Sequence, residues 1–307
     1  MADTQAKPHI AVLMGGLSAE REVSLSSAAG IIKNLQALGY HVTPVDMDRN
    51  VAGVLSTLKP DLVFNALHGG YGENGAVQGM LEILGIPYTH SGILASAIGM
   101  DKPKAKALFQ QNGILCPEGR ILHRSEAIEG DPLPRPYVIK PLYEGSSLGV
   151  HIILEGDNFD IRDYDWAYGD DVILERYIPG KEIQVAVVAG KAIGAIEIRP
   201  KGRFYDYEAK YTDGKAVHIM PAPISPAAYA EVLTLALKVH QLLDCRSVSR
   251  VDFRYDDTAS GDGKFYLLEI NTHPGMTPLS LVPEIAAYAG ITFPELLEFI
   301  IQDALSA

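Results

Sequence analysis

Cysteine is scarce in this chain of 307 residues: there are two, Cys116 and Cys245, with no metal-ligand spacing around either. A disulfide scaffold or a zinc ribbon is thereby excluded, and reduced thiols in a cytosolic protein are expected. Long apolar runs are missing as well. The opening MADTQAKPHIAVLMGG has too short an apolar run for a signal peptide, and no stretch is long enough to span a bilayer. Positive charge is outweighed, with a formal net charge of -12. That argues against nucleic acid or an anionic membrane as a general partner, while leaving room for a local basic site. There is no internal repeat and no low-complexity tract. Two nucleotide fingerprints are also absent. No P-loop pattern occurs, and the Gly15-Gly16 turn has no third glycine at dinucleotide spacing. A nicotinamide or flavin reading is therefore weak, and any nucleotide would be held by another fold.

What is present centres on Phe265 to Thr277, FYLLEINTHPGMT. Phe265, Tyr266, Leu267, Leu268 and Ile270 predict a strand, interrupted by Glu269. Side chains on a strand repeat with period two, so Glu269 and Asn271 share a face, both offering oxygen. Hard cations such as Mg²⁺ take oxygen ligands, few from the protein and the rest from phosphate and water. The following Thr272-His273-Pro274-Gly275-Met276-Thr277 reads as a turn in which Gly275 lets backbone N–H groups approach a ligand. Just upstream, in Ser249 to Tyr255, Arg250, Asp252 and Arg254 alternate with Val251, Phe253 and Tyr255. A turn at Gly261-Asp262-Gly263 makes the two strands a hairpin. Asp252, Glu269, Asn271 and Arg250 can then gather on one face, suited to phosphate held through a cation, with the arginine facing developing negative charge. These residues alone leave a structural ion-pair network equally open.

The rest of the chain reads as α/β followed by α+β. A buried parallel strand over 9–14, a helix from about Glu22 to Gly39, a strand at 41–46, a short helix and a strand at 62–64 make an α/β unit. Glu20 stands at the mouth of the Gly15-Gly16 turn. On local grounds it is an N-terminal helix charge favoured by the macrodipole; it could instead receive an ammonium group. The loop Leu67-His68-Gly69-Gly70-Tyr71-Gly72-Glu73-Asn74-Gly75 lies between a strand and a helix at about 74–84, where α/β proteins place ligands. Asp101-Lys102-Pro103 opens a helix over 101–113, and 124–135 reads as a connecting loop. A strand at 137–141 carries Lys140 into Gly145-Ser146-Ser147-Leu148-Gly149, a loop of the kind that wraps phosphate with backbone N–H groups. Strands at 172–176, 182–189 and 191–198 follow. Glu175 among apolar neighbours could accept from an adenine amino group or simply pair with Arg176 or Lys181. The segment 204–211, FYDYEAKY, reads as a lid or binding loop. A helix at about 226–243 covers a sheet, and the tail at about 280–305 is helical.

Six motifs in order, GGLSAEREVSL (15–25), LHGGYGENG (67–75), KPLYEGSSLGV (140–150), FYDYEAKY (204–211), SRVDF (249–253) and LLEINTHPGMTPLSLVP (267–283), resemble the D-alanine–D-alanine ligases of the ATP-grasp superfamily. The resemblance covers nearly the whole length. It implies an ATP-grasp fold with an N-terminal parallel α/β domain: three domains around a central cleft, at 1–97, 98–179 and 180–307, the last with the metal and catalytic site. It implies that Glu20 holds the amino group of a first D-alanine, linked through Ser146 to Tyr211. Arg250 and the Gly275 N–H form the oxyanion site. Lys102, Lys140 and Lys210 contact ATP phosphates, and Glu175 with Glu182 holds adenine and ribose. Asp252, Glu269 and Asn271 bind two Mg²⁺ (or Mn²⁺), Ser280 and the Leu281 backbone receive a second D-alanine, and His68 lines the first-substrate site. The implied product is D-alanyl-D-alanine for peptidoglycan, made through a D-alanyl phosphate in a cytoplasmic homodimer, with no nucleic acid or membrane partner. Another ATP-grasp ligase for a different carboxylate and amine, or a non-catalytic nucleotide-binding module, are the alternatives. Two positions depart from the family: Asn74 stands where Asp is usual, and His273 replaces the usual Ser, a side chain that could simply point away.

Overall fold

The computed structural model describes residues 7–128, 130–202, 212, 214–258 and 263–306. The uninterrupted apolar run near the start becomes β1 (His9–Met14), the middle strand of a parallel sheet. It pairs with β2 (His41–Asp46) and β3 (Leu62–Asn65) in the order β2-β1-β3. A strand with both faces covered needs apolar residues at every position. Ile10 and Val12 pack on one side with Ile31 and Leu35 of α1 (Arg21–Ala37). Ala11 and Leu13 pack on the other with Leu55 of α2 (Val51–Leu58) and Leu81 of α3 (Ala76–Leu84).

Two helices lead out of this unit. The first, α4 (Ile93–Met100), was not anticipated from the sequence, whose small residues there carry no clear polar face. The second, α5 (Lys102–Gln111), starts as expected: Asp101 accepts from the Lys104 N–H at 3.1 Å, and Pro103 sits in the first turn. A four-stranded antiparallel sheet follows, in the order β4-β7-β5-β6, built from β4 (Gly119–His123), β5 (Tyr137–Pro141), β6 (His151–Ile153) and β7 (Asp171–Arg176). Sequence patterning missed both of its short edges, β4 and β6, as it missed the strand at Ala216–Ile219 in the next sheet. In β4 Leu122 is the one buried residue, so alternation had little to show.

The third sheet is antiparallel and five-stranded, in the order β10-β9-β8-β11-β12. Its strands are β8 (Lys181–Val188), β9 (Lys191–Pro200), β10 (Ala216–Ile219), β11 (Val248–Asp256) and β12 (Lys264–Asn271). The long helix α6 (Pro226–Leu242) covers one face and is capped by Ser225, whose Oγ accepts from the Ala228 N–H at 3.2 Å. The expected single helical tail is two helices, α7 (Leu281–Tyr288) and α8 (Phe293–Ser306). They part at Gly290, which adopts φ +85 so that the Ile291 N–H reaches the Ala286 carbonyl at 2.8 Å. The tail returns to the start of the chain. Leu296, Leu297, Ile300 and Ile301 of α8 share one core with Ile10, Phe64 and Ile31, and with Val188 and Ile196 of the third sheet. The first and third sheets are thus joined by a common hydrophobic interior.

Candidate active site

The candidate catalytic face lies on β11 and β12, and a bulge creates it. Arg250 pairs with Asn271 and Asp252 with Glu269, but the next pair is Phe253 with Leu267, so Leu268 is the extra residue. In a regular strand Leu267, Glu269 and Asn271 would share a face. Leu267 packs in the core under α6 with Phe253 and Phe265, and Glu269 would be driven there too. The bulge turns the chain over, sending Ile270 into that core and Glu269 and Asn271 to the opposite side. On β8, Gln184 pairs with Asp252 and Glu182 with Arg254, which extends the same polar face. Arg250 binds Asp252 in a fork, Nε to Oδ1 at 2.8 Å and the second nitrogen to Oδ2 at 2.9 Å. Asn271 accepts from the His273 N–H at 2.9 Å, which fixes the start of the following turn.

Two clefts meet over this face. One, of about 850 Å³, is lined by Glu20, His68, Ser146, Arg250, Gly275 and Ser280. The other, of about 1020 Å³, is lined on its apolar side by Val138, Leu148, Val150, Ile152 and Ile178, and on its polar side by Lys140, Glu175, Glu182 and Asp252. Lys102, Glu144 and Glu269 line both. Lys102 is buried, donates to the Glu144 carbonyl and stands 3.9 Å from the Glu269 carboxylate. Its burial pushes its ammonium down from the usual range, and Glu269 opposes that shift.

In the smaller cleft, four segments distant in sequence converge. Glu20 is buried at the start of α1, and Ser146 donates to it from the loop after β5. Ser146 and Ser147 both adopt left-handed backbone, φ +50 and +61, a conformation that costs a non-glycine residue about 1–2 kcal/mol. Strain of this kind collects at binding loops. His68, also buried, is held from both ring nitrogens, by Ser27 Oγ at 3.0 Å and by Glu73 at 3.3 Å. Ser27 in turn accepts from the Met276 N–H at 3.4 Å, tying the turn after β12 to α1. Within that turn, a Cβ on Gly275 would come within 2.9 Å of Ser280 Oγ. Ser280 accepts from the Thr277 N–H at 2.9 Å and leads directly into α7, whose first residue, Leu281, lines the cleft.

In the larger cleft, Glu175 does not pair with Arg176 or Lys181. Arg176 binds Glu118, and Lys181 binds Asp257. The Glu175 carboxylate is held by Lys140 at 2.6 Å and by Lys106, a residue that sequence reasoning missed. Burial pushes this carboxyl up, but Lys140 and Lys106 together outweigh it and keep it ionised. Ser27 and Gln184 were missed too, since neither sits in a pattern that a single sequence marks as chemical; Glu73 and Glu144 lie within the motifs at 67–75 and 140–150 but were given no role there. Lys210 and Tyr211, with the whole candidate lid 204–211, lie outside the described residues.

The two departures noted in the sequence have structural places. Asn74 accepts from the Ala76 N–H at 3.1 Å, in the turn that leads through Gly75 into α3. His273 turns away from both clefts into the interior, where its ring lies 4.1 Å from that of His90 and Nδ1 meets the Asn65 carboxamide at 3.3 Å.

The donor set suits a phosphate-bound cation. Among the described residues no three His, Cys, Asp or Glu side chains form a metal cage. Asp252, Glu269 and Asn271 instead offer two carboxylates and a carboxamide, which leaves positions for phosphate and water, as Mg²⁺ prefers. With lysines beside them and an apolar slot beyond, the arrangement can bind a nucleotide next to a small ionised acid and neutralise charge that passes between them.

Comparison with known proteins gives a consistent result. A family model described as D-ala D-ala ligase N-terminus matches residues 9–57 and 52–91, and one described as D-ala D-ala ligase C-terminus matches 109–302. The D-alanine–D-alanine ligase of Rickettsia canadensis (strain McKiel) is 52% identical over 303 residues, covering 98% of this chain and 85% of its own. That of Chelativorans sp. (strain BNC1) is 53% identical over 302 residues, covering 97% and 98%. A crystal structure of D-alanine–D-alanine ligase from Bacillus anthracis complexed with ATP superposes with a TM-score of 0.82 at 32% identity, covering 97% of this chain and 98% of that one.

Proposed function

The chain belongs to the D-alanine–D-alanine ligase family, and we propose from that premise how its own residues divide the work. It is an ATP-dependent ligase of the ATP-grasp fold that joins two D-alanines for cell-wall synthesis. Our reading puts ATP in the larger cleft, adenine on the apolar slot near Glu175 and Glu182, and phosphates toward Lys140, Lys102 and Lys210. The first D-alanine lies in the smaller cleft, its ammonium on Glu20 and its carboxylate toward the junction of the clefts, beside His68. The second lies toward Ser280 and the Leu281 N–H, where the positive end of α7 favours a carboxylate.

The carboxylate of the first D-alanine takes the γ-phosphoryl group of ATP, giving D-alanyl phosphate and ADP. The amine of the second D-alanine then attacks the carbonyl carbon, and the resulting oxyanion is stabilised by Arg250 and the Gly275 N–H before phosphate leaves. Asp252, Glu269 and Asn271 would hold Mg²⁺ or Mn²⁺, two ions by our reading, whose charge offsets that of the phosphates. Ser146 keeps Glu20 aimed at the ammonium, and Tyr211 is assigned to the same chain of hydrogen bonds. A closing segment at 204–211 would keep water from the acyl phosphate.

The single observation that carries this map is the junction itself. Lys102, Glu144 and Glu269 border both clefts, so a group can pass from one to the other beside the carboxylates. We further read the three sheets as three domains, divided near 97/98 and 179/180, and the protein as a cytosolic homodimer. No helix among the described residues is long and apolar enough to cross a membrane. The test is phosphate release from ATP and Mg²⁺ with D-alanine, beside L-alanine and D-lactate. Release that depends on D-alanine, with D-alanyl-D-alanine as product, is expected. Turnover with neither form of alanine would sink the substrate assignment. Sedimentation that finds only monomer would remove the dimer.

A further inference from the structure

The two oxygens of Glu175 are held by different lysines. Oε1 accepts from Lys106 and Oε2 from Lys140, at 2.6 Å. The two lysines differ in what else they can reach. Lys140, at the end of β5, lines the larger cleft, as Glu175 does. Lys106 lines neither cleft, and its ammonium is anchored from behind by the Pro117 carbonyl at 2.8 Å. It sits on α5 one turn after Lys102, so a single helix face sends one lysine to the junction of the clefts and the next to Glu175.

This asymmetry matters because Glu175 is 2% exposed. A buried carboxylate stripped of its only cation is strongly destabilised, so Lys140 alone could not leave it. With Lys106 in place, Lys140 can turn to a phosphate while Glu175 stays compensated. Two lysines against one carboxylate also leave one positive charge facing the cleft. Glu175 is held in its charged form against its burial, as this arrangement requires.

We propose that Lys106 is a positioning residue for the nucleotide: the resident counter-ion of Glu175, which releases Lys140 to the phosphates. The inference rests on the reading that the larger cleft binds ATP. Without Lys106 the Lys140–Glu175 pair persists, the protein folds, and Lys140 is locked away from the phosphates.

The experiment measures binding of ATP, ADP and adenosine by calorimetry to the wild type, to Lys106→Met and to Lys106→Met/Glu175→Gln. In Lys106→Met, affinity for ATP and ADP falls on the order of tenfold or more, the size of one lost charge-assisted contact, while that for adenosine is unchanged. In the double variant Lys140 has no carboxylate to guard, so the ratio of ATP to adenosine affinity returns to the wild-type value. Lys106→Gln keeps a donor toward Pro117 and Glu175 without the charge and gives the pattern of Lys106→Met if methionine disturbs folding. Equal weakening of ATP and adenosine, unchanged ATP affinity in the single variants, or no recovery in the double variant would overturn the inference. A wild type that binds no ATP would overturn the underlying reading, and this inference with it.

Discussion

Lowering the pH should destabilise the protein through His90 in a way that can be isolated. The residue is 1% exposed, and neither ring nitrogen has a hydrogen-bond partner among the described residues. Its ring packs 4.1 Å from His273 and edge-on to Phe64 at 5.7 Å. Burial, helped by nearby His68, pushes its pKa down to about 3. In the unfolded chain it titrates near the usual value of about 6.5. The folded pKa is the lower one, so no penalty exists above pH 6.5, where both states are neutral. Below it, the unfolded chain takes a proton that the folded protein refuses, and stability falls until the pH reaches the folded pKa. Between pH 7.5 and 5.5 the loss from this one group is about 1.4 kcal/mol. Urea unfolding of the wild type and His90→Asn at both pH values, followed by circular dichroism, reads it directly. Asparagine is chosen because residue 90 adopts φ +70, which Asn tolerates. The wild type should lose about 1.4 kcal/mol more than the variant on acidification, the other histidines cancelling in the difference. Equal losses in the two proteins would refute the argument.

Three further outcomes follow from the site. Arg250→Ala should cut kcat by about 10²–10³-fold, and Glu269→Ala should abolish turnover, both with circular dichroism preserved; near-native activity in either would remove its assigned role. Gly275→Ala places a methyl group 2.9 Å from Ser280 Oγ. It should lower kcat/KM for D-alanine on the order of tenfold to a hundredfold, and wild-type kinetics would show that the turn yields freely.

Much of the fold was legible because its signals are local. The apolar run of β1, the Asp101-Lys102-Pro103 start of α5 and the alternation in β11 each carry their own cause. The short edge strands β4, β6 and β10 were not legible, since each buries at most one residue and shows no period. The split between α7 and α8 was missed because the apolar positions on either side of Gly290 look continuous in one dimension. At the site, the motif residues stood out by type and spacing. Lys106 did not: a lysine in a helix reads as a solvated charge, and only its burial against Glu175 distinguishes it.

By itself, the sequence determined which chemical groups are available and which elements carry them. Oxygen donors repeat at Glu269 and Asn271, a glycine-rich loop holds Ser146, and glycine stands at 275, because composition and short periods need no partner to be read. Tertiary structure decided which way those groups face and what holds them. Strand alternation would have placed Glu269 with Leu267; the pairing of β12 with β11 put a bulge at Leu268 and reversed it. Glu20 and Ser146 lie 126 positions apart, yet they bond across the cleft. Ser146 belongs to the loop after β5 of the second sheet, which only the folded chain brings back to the start of α1. A contact between remote segments depends on the whole packing of the chain, and no local pattern records it.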